Sequence, residues 1–249
     1  MTLEGTNTWL LRGPDEVACV VVDPGPDHQG HLAAVAAAGP VAVILLTHGH
    51  PDHSEGAGRL HEMTGAAVRA LDPAFRLGSE GLAEGDVIGT AGVELRVLVT
   101  PGHSADSLCF HLVEDDAVLT GDTILGRGTT VVEHPEGRLA DYLASLRRLR
   151  EFGEACVLPG HGPKLPSAGA VAERYLRHRE ERLAEVRAAL AAGDREPAQV
   201  VRRVYADVEP ALWPAAELSV RAQLEYLTAG TAPAPAPGTA AREAPREAE

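Results

Sequence analysis

The sequence predicts a mixed α/β (α+β) domain carrying a small helical appendage. Before residue 160, apolar runs of strand length outnumber helix-length patterns, and after Pro166 the chain turns to long segments with helical spacing. A length of 249 residues, with 45% hydrophobic and 23% charged, suits one large domain or a domain with an appendage and excludes a disordered or collagen-like chain. No apolar run approaches the roughly 20 residues of a membrane helix. The first dozen residues lack a basic head followed by an apolar stretch, so a cytoplasmic protein without membrane partners is expected.

The elements follow in order. Residues 6–11 and 17–22 read as strands flanking the turn Gly13-Pro14-Asp15, which predicts a hairpin. Residues 28–38 read as a helix stopped by Gly39-Pro40, and 41–46 is a continuous apolar run typical of a strand buried on both faces. Ser54 is expected to cap a helix ending near Gly65. Further strands are predicted at 67–70, 87–90, 93–99, 107–112, 117–120 and 155–158. A helix is predicted at 138–152, striped by Leu139, Leu143, Leu146 and Leu149. Ser167 is placed to cap a long helix running to Ala192, with Pro197 and Pro214 in the first turns of two more. The domains are therefore expected as 1–166, 167–229 and an Ala/Pro tail over 230–249 with too little apolar surface to order.

The net charge of -14 discourages adhesion to DNA and to anionic membranes. Cys19, Cys109 and Cys156 lie in apolar runs without metal-ligand spacing and read as core residues in a reducing compartment. Arg174, Arg177, Arg179 and Arg182 alternate with acids at helical spacing and are expected on an exposed, ion-paired face. His28, His31, His61, His111 and His178 read as structural.

The chemistry concentrates in Thr47-His48-Gly49-His50-Pro51-Asp52-His53, three imidazoles and a carboxylate directly after the buried strand. His103, Asp122 and His161 obey the same grammar. Each follows an apolar run through Pro-Gly or Thr-Gly, so each would hang from the carboxyl end of a strand, where the preceding glycine lets the backbone turn and approach closely. Five imidazoles and two carboxylates suit divalent ions such as zinc and are too many for one tetrahedral ion, which implies two metals.

These residues resemble the metallo-β-lactamase superfamily, whose His-x-His-x-Asp-His signature stands here as His48, His50, Asp52 and His53, with the likeness running over about 2–165. The resemblance implies an αββα sandwich. It assigns His48, His50 and His103 to a first metal, Asp52, His53 and His161 to a second, and Asp122 to a bridge. It implies two Zn²⁺ ions, with iron or manganese as alternatives, sharing a hydroxide that attacks an ester, thioester or phosphodiester bond. Asp52 would orient that hydroxide as a catalytic residue, and Asp23, in Val-Asp-Pro-Gly, would orient a ligand. Arg127 and Lys164 are candidate contacts to an anionic substrate.

Residues 3–8, 121–126 and 128–130 leading to Asp141-Tyr142-Leu143 look like the branch that includes the mitochondrial endoribonuclease β-lactamase-like protein, in which residues 170–228 would match the helical part of a winged-helix-like domain. That branch usually has a further strand before Leu3-Glu4-Gly5-Thr6-Asn7, so either that strand is missing or the start was assigned too late. The branch's basic wing is replaced by the tail, and Ser104-Ala105-Asp106-Ser107 departs from its acid- and His-bearing segment. An aspartate at the bridging position argues against antibiotic hydrolysis. The substrate stays open between single-stranded RNA and a small ester or thioester. The alternatives are a hydroxyacylglutathione hydrolase-like thioesterase, an iron-dependent redox protein of this fold, and a non-catalytic binding module.

Overall fold

The computed structural model describes residues 5–229 except Ser79 and Glu133, so the expected tail at 230–249 and the question of a preceding strand lie outside the described residues. The elements are β1 (Trp9–Leu11), β2 (Cys19–Val22), α1 (Gln29–Ala37), β3 (Val41–Leu45), α2 (Pro51–Ser54), α3 (Ala57–Thr64), β4 (Val68–Arg69), β5 (Val87–Thr90), β6 (Val93–Val99), β7 (Leu108–Leu112), β8 (Ala117–Gly121), α4 (Leu139–Arg150), β9 (Cys156–Pro159), α5 (Ala168–Ala191), α6 (Pro197–Val204) and α7 (Trp213–Ala229). They form two mixed sheets, ordered β1-β2-β3-β4 and β5-β6-β7-β8-β9. β1 and β2 pair as the expected antiparallel hairpin, β2, β3 and β4 run parallel, and the second sheet is antiparallel except for parallel β8 and β9.

Alternation along the strands sorts side chains into layers. Val20, Val22, Val43 and Leu45 meet Leu95, Val97, Phe110 and Leu119 between the sheets. Cys19, Val21, Ile44 and Leu46 face outward onto Leu32, Val35 and Leu60 of α1 and α3. On the far side, Cys109, Val118 and Val157 pack beneath α4 and α5. The result is an αββα sandwich, and β3 is buried on both faces because each takes a different layer.

The leucine stripe of α4 is wholly buried, and α5 packs along α4 in one shared core that also takes Ala222 of α7. Ser167 caps α5 by accepting from the Ala170 N–H at 3.2 Å. Pro197 opens α6, and Pro214 lies in the first turn of α7. Val186, Val200, Val201 and Val220 hold the three C-terminal helices together.

Two local expectations are corrected. Ser54 does not begin a helix; its hydroxyl donates back to Gly49 O at 2.9 Å and His50 O at 3.0 Å at the end of α2, and Gly56 caps α3. Arg179 is not exposed. Only 4% accessible, it donates to Thr130 O and lies over the Tyr142 ring, tying α5 to the loop after β8. Its neighbours keep the expected surface pairing, Arg177 with Glu173 and Arg182 with Glu185.

Candidate metal centre

Strands β2, β3, β6, β8 and β9 end at one edge of the sandwich, and the chemistry-bearing residues leave from those ends: Asp23, the 48–53 segment, His103, Asp122 and His161. Open sheets place their sites there because the loops beyond strand ends are free to carry polar groups. Asp23 sits at φ 53°, a left-handed conformation that turns its buried carboxylate back under the site. Its Oδ1 accepts from Thr47 N at 2.8 Å, and its Oδ2 accepts from Thr47 Oγ1 at 2.7 Å and faces His53 Nδ1 at 2.8 Å.

Seven side chains converge. His48, His50 and His103 form one triad, Asp52, His53 and His161 another, and Asp122 joins His48 and His53 between them; within each group the ligand atoms lie within 4.8 Å of one another. His50 Nδ1 stands 3.1 Å from His103 Nε2, and His53 Nε2 stands 3.2 Å from His161 Nε2. Asp122 Oδ2 lies 3.3 Å from His161 Nε2 and 3.8 Å from His103 Nε2, while its Oδ1 lies 3.4 Å from His53 Nε2. Asp52 Oδ2 is 3.3 Å from His161 Nε2, and its carboxylate is about a quarter exposed.

Outer hydrogen bonds aim the rings. His103 Nδ1 donates to Val131 O at 2.8 Å, and His161 Nδ1 donates to Gly5 O at 3.0 Å, so in the neutral rings Nε2 carries the lone pair that points inward. Two atoms at the centre, His48 Nε2 and Asp122 Oδ1, are buried without a hydrogen-bond partner. Unpaired buried acceptors are costly, and several imidazole lone pairs facing two carboxylates form the donor set of a borderline divalent cation. The residues present fit a metal.

The electrostatics agree. At Asp122 burial opposes ionisation, but the His161 and His53 rings facing its two oxygens outweigh it and hold the carboxyl well below its usual range. At His53 burial alone would lower the pKa, and Asp23 and Asp122 reverse this, pushing it up to about 10. His161 rises to about 9, against burial, through Asp122 and Asp52. His48, buried and beside His53, is lowered well below the usual imidazole value. The centre therefore calls for positive charge between its carboxylates.

Gly160 is required for space, since a Cβ there would lie 2.7 Å from His53 Cε1 and 2.8 Å from Asp122 Oδ1; Gly121 turns at φ +47° against Thr47. Arg127 is exposed and lines a cavity with His103 and Asp122. Lys164, though only three residues past His161, is exposed and lines neither that cavity nor the one beside His50. Sequence reasoning missed Thr47, which holds Asp23, and Thr130, whose hydroxyl donates to Asp122 O at 2.6 Å. Both lie in stretches singled out in the sequence, but no spacing rule for threonine marks either hydroxyl as a partner of an aspartate. Of the histidines read as structural, His28 caps α1, His31 meets Thr8 Oγ1 at 2.9 Å, and His61 donates to Ala66 O at 2.8 Å.

Residues 1–161 match the model of the metallo-beta-lactamase superfamily, and residues 197–229 match that of the beta-lactamase associated winged helix domain. The chain is 34% identical over 198 residues to the atrochrysone carboxyl ACP thioesterase of Aspergillus fumigatus, covering 76% of this chain and 61% of that protein. It thus spans about three-fifths of the length of that curated relative. It is 31% identical over 238 residues to the beta-lactamase-like protein 2 homolog of Caenorhabditis elegans, covering 91% of this chain and 79% of that one. A metallo-beta-lactamase family protein of Thermus thermophilus superposes with a TM-score of 0.77 at 25% identity, over 91% of this chain and 89% of the other. The sandwich, the clustered signature and the appended helices agree with these matches, and the chain belongs to the metallo-beta-lactamase superfamily.

Proposed function

We propose that this chain is a dinuclear zinc hydrolase of small-molecule acyl thioesters, acting in the cytoplasm. The observation that carries the metal assignment is the pair of triads with Asp122 grouped between them through His48 and His53, where His48 Nε2 and Asp122 Oδ1 are buried without a hydrogen bond. In this reading His48, His50 and His103 hold one ion, Asp52, His53 and His161 the other, and Asp122 both. Two such ions supply Lewis acidity and a water of lowered pKa.

The substrate class follows from what surrounds the cluster. A cavity of about 330 Å³ beside His50 is lined by Asp72, Asp106 and Glu136. Three carboxylates there repel a phosphate backbone, which needs cations along its track, so the RNA reading loses support. A neutral thioester meets no such barrier, and the Aspergillus relative is named a thioesterase.

Hydrolysis joins the oxygen of water to the acyl carbon and breaks the C–S bond. The electron pair leaves with sulfur, which takes up a proton, and the acid is released as its carboxylate. Asp52 Oδ2, partly exposed and held as a carboxylate first of all by the His161 ring 3.3 Å away, is placed to take the proton from the attacking water. Asp23, through Thr47 and His53, keeps the cluster in register. Arg127 lies beside His103 and Asp122, where a carboxylate product would form.

Elemental analysis of the purified protein tests the reading, with two zinc ions per chain expected and acyl thioesters hydrolysed in preference to single-stranded RNA. Asp122→Ala is expected to lose metal and several orders of magnitude in turnover. Full activity in that variant would overturn the two-metal site. Mainly iron would favour the redox alternative, and a zinc-loaded chain inert toward esters, thioesters and phosphodiesters would favour the binding module.

A further inference from the structure

We infer that α7 of the C-terminal appendage forms the far wall of an acyl-binding cavity, and that Ala215 and Leu218 set the size of the acyl group. The inference rests on the thioesterase reading and names the part of the substrate that reading leaves open.

A cavity of about 220 Å³ opens directly on His103 and Asp122. The loop after β8 supplies Leu125 and Val131 to one side, and Ala215 and Leu218 of α7, three residues apart and so on one helical face, supply the other. Arg127, Thr129 and Thr130 also line it, but no carboxylate other than Asp122 does, whereas Asp72, Asp106 and Glu136 line the cavity on the His50 side; of the two spaces adjoining the cluster, this one offers four apolar side chains to an acyl group. An apolar cavity of about 150 Å³ is enough to hold benzene. The space here takes an aromatic ring or a chain of several carbons. A second cavity of about 260 Å³ shares Thr129, Thr130, Val131 and Ala215 with the first, and it adds Val208 and Leu212 beside the cationic side chains of Arg179 and Arg182, giving room for a longer group that ends in a polar or anionic function.

The wall is anchored. Further along α7, Ala222 is buried in the core of α4 and α5, with Tyr226 and Leu227 packed against it, and the apolar side of the appendage joins Trp213 and Val220 to α6. The appendage therefore fixes the distance between its helix and the metal cluster, and a change of side-chain size at 215 or 218 changes the length of acyl group admitted.

The test uses the full chain loaded with zinc, thioesters of N-acetylcysteamine carrying acetyl, butyryl, octanoyl and benzoyl groups, and calorimetric titration with octanoate. Ala215→Trp fills the cavity and is expected to lower the octanoyl-to-acetyl ratio of kcat/KM at least about tenfold. Leu218→Ala enlarges it and is expected to move the preference toward longer chains. Folded variants with the wild-type ratio would overturn the inference, and if Ala215→Trp fails to fold, Leu218→Ala decides alone. Should the wild type cleave no thioester, the thioesterase reading fails and octanoate binding decides the cavity by itself. Affinity weakened about tenfold in Ala215→Trp supports the wall; equal affinity, or no binding by the wild type, overturns it.

Discussion

Asp23 touches two residues and through them orients a third. Its carboxylate binds the Thr47 amide and hydroxyl and faces His53 Nδ1, while Thr47 Oγ1 lies 3.0 Å from His48 Nδ1. Asp23→Asn keeps the shape but replaces one acceptor oxygen with a donor, against an imidazole that must itself donate. Metal affinity is expected to fall about 10–100-fold, read by competition with a chromogenic chelator while circular dichroism stays unchanged. The aspartate was legible through the resemblance, at the end of an apolar strand in Val-Asp-Pro-Gly. Thr47 was not, since nothing in its neighbours says that its hydroxyl turns toward Asp23. Arg179 was misread for a related reason: helical spacing says which residues share a face, and it says nothing about a loop from elsewhere arriving over that face to offer Thr130 O.

At the scale of elements, α4 shows what spacing does reveal. Its leucines at three- and four-residue intervals are the stripe that packs on Val118, Val157 and α5. Leu146→Ala empties a fully buried position and is expected to cost about 2–5 kcal/mol in urea denaturation, with the kcat of the remaining folded protein preserved because the side chain lies on the outer face of the second sheet. Strands were legible to within three residues of their ends: β2, β7 and β8 as near-continuous buried apolar runs, and β5 and β6, whose bounds match the prediction, although one of their faces is partly exposed. Where a terminus depends on a side chain choosing between two backbone partners, as at Ser54, sequence alone could not decide.

For the whole molecule, the centre lies where two sheets, separately bounded by α1 and α3 and by α4 and α5, meet along one core. Ligands come from both sheets, so a bound ion ties the halves together, and its removal leaves carboxylates and imidazoles facing one another. Dialysis against a chelator is expected to lower the melting temperature in scanning calorimetry and zinc to restore it. The stabilisation is about 4 kcal/mol where free metal exceeds its dissociation constant a thousandfold. How the chain arranges four loops into two triads could be expected from a resemblance; which backbone oxygens aim the rings could not, because Val131 O and Gly5 O act through position rather than residue type.

The loop carrying His161 is held by the start of the chain. Asn7 Nδ2 donates to Pro159 O and Gly162 O, Asn7 N donates to Gly160 O, and Trp9 Nε1 donates to Pro159 O. During synthesis, at about 5–20 residues per second, His161 leaves the ribosome on the order of ten seconds after His48. Any ion that His161 helps to hold therefore waits until the loop after β9 has been made and has docked on Asn7 and Trp9.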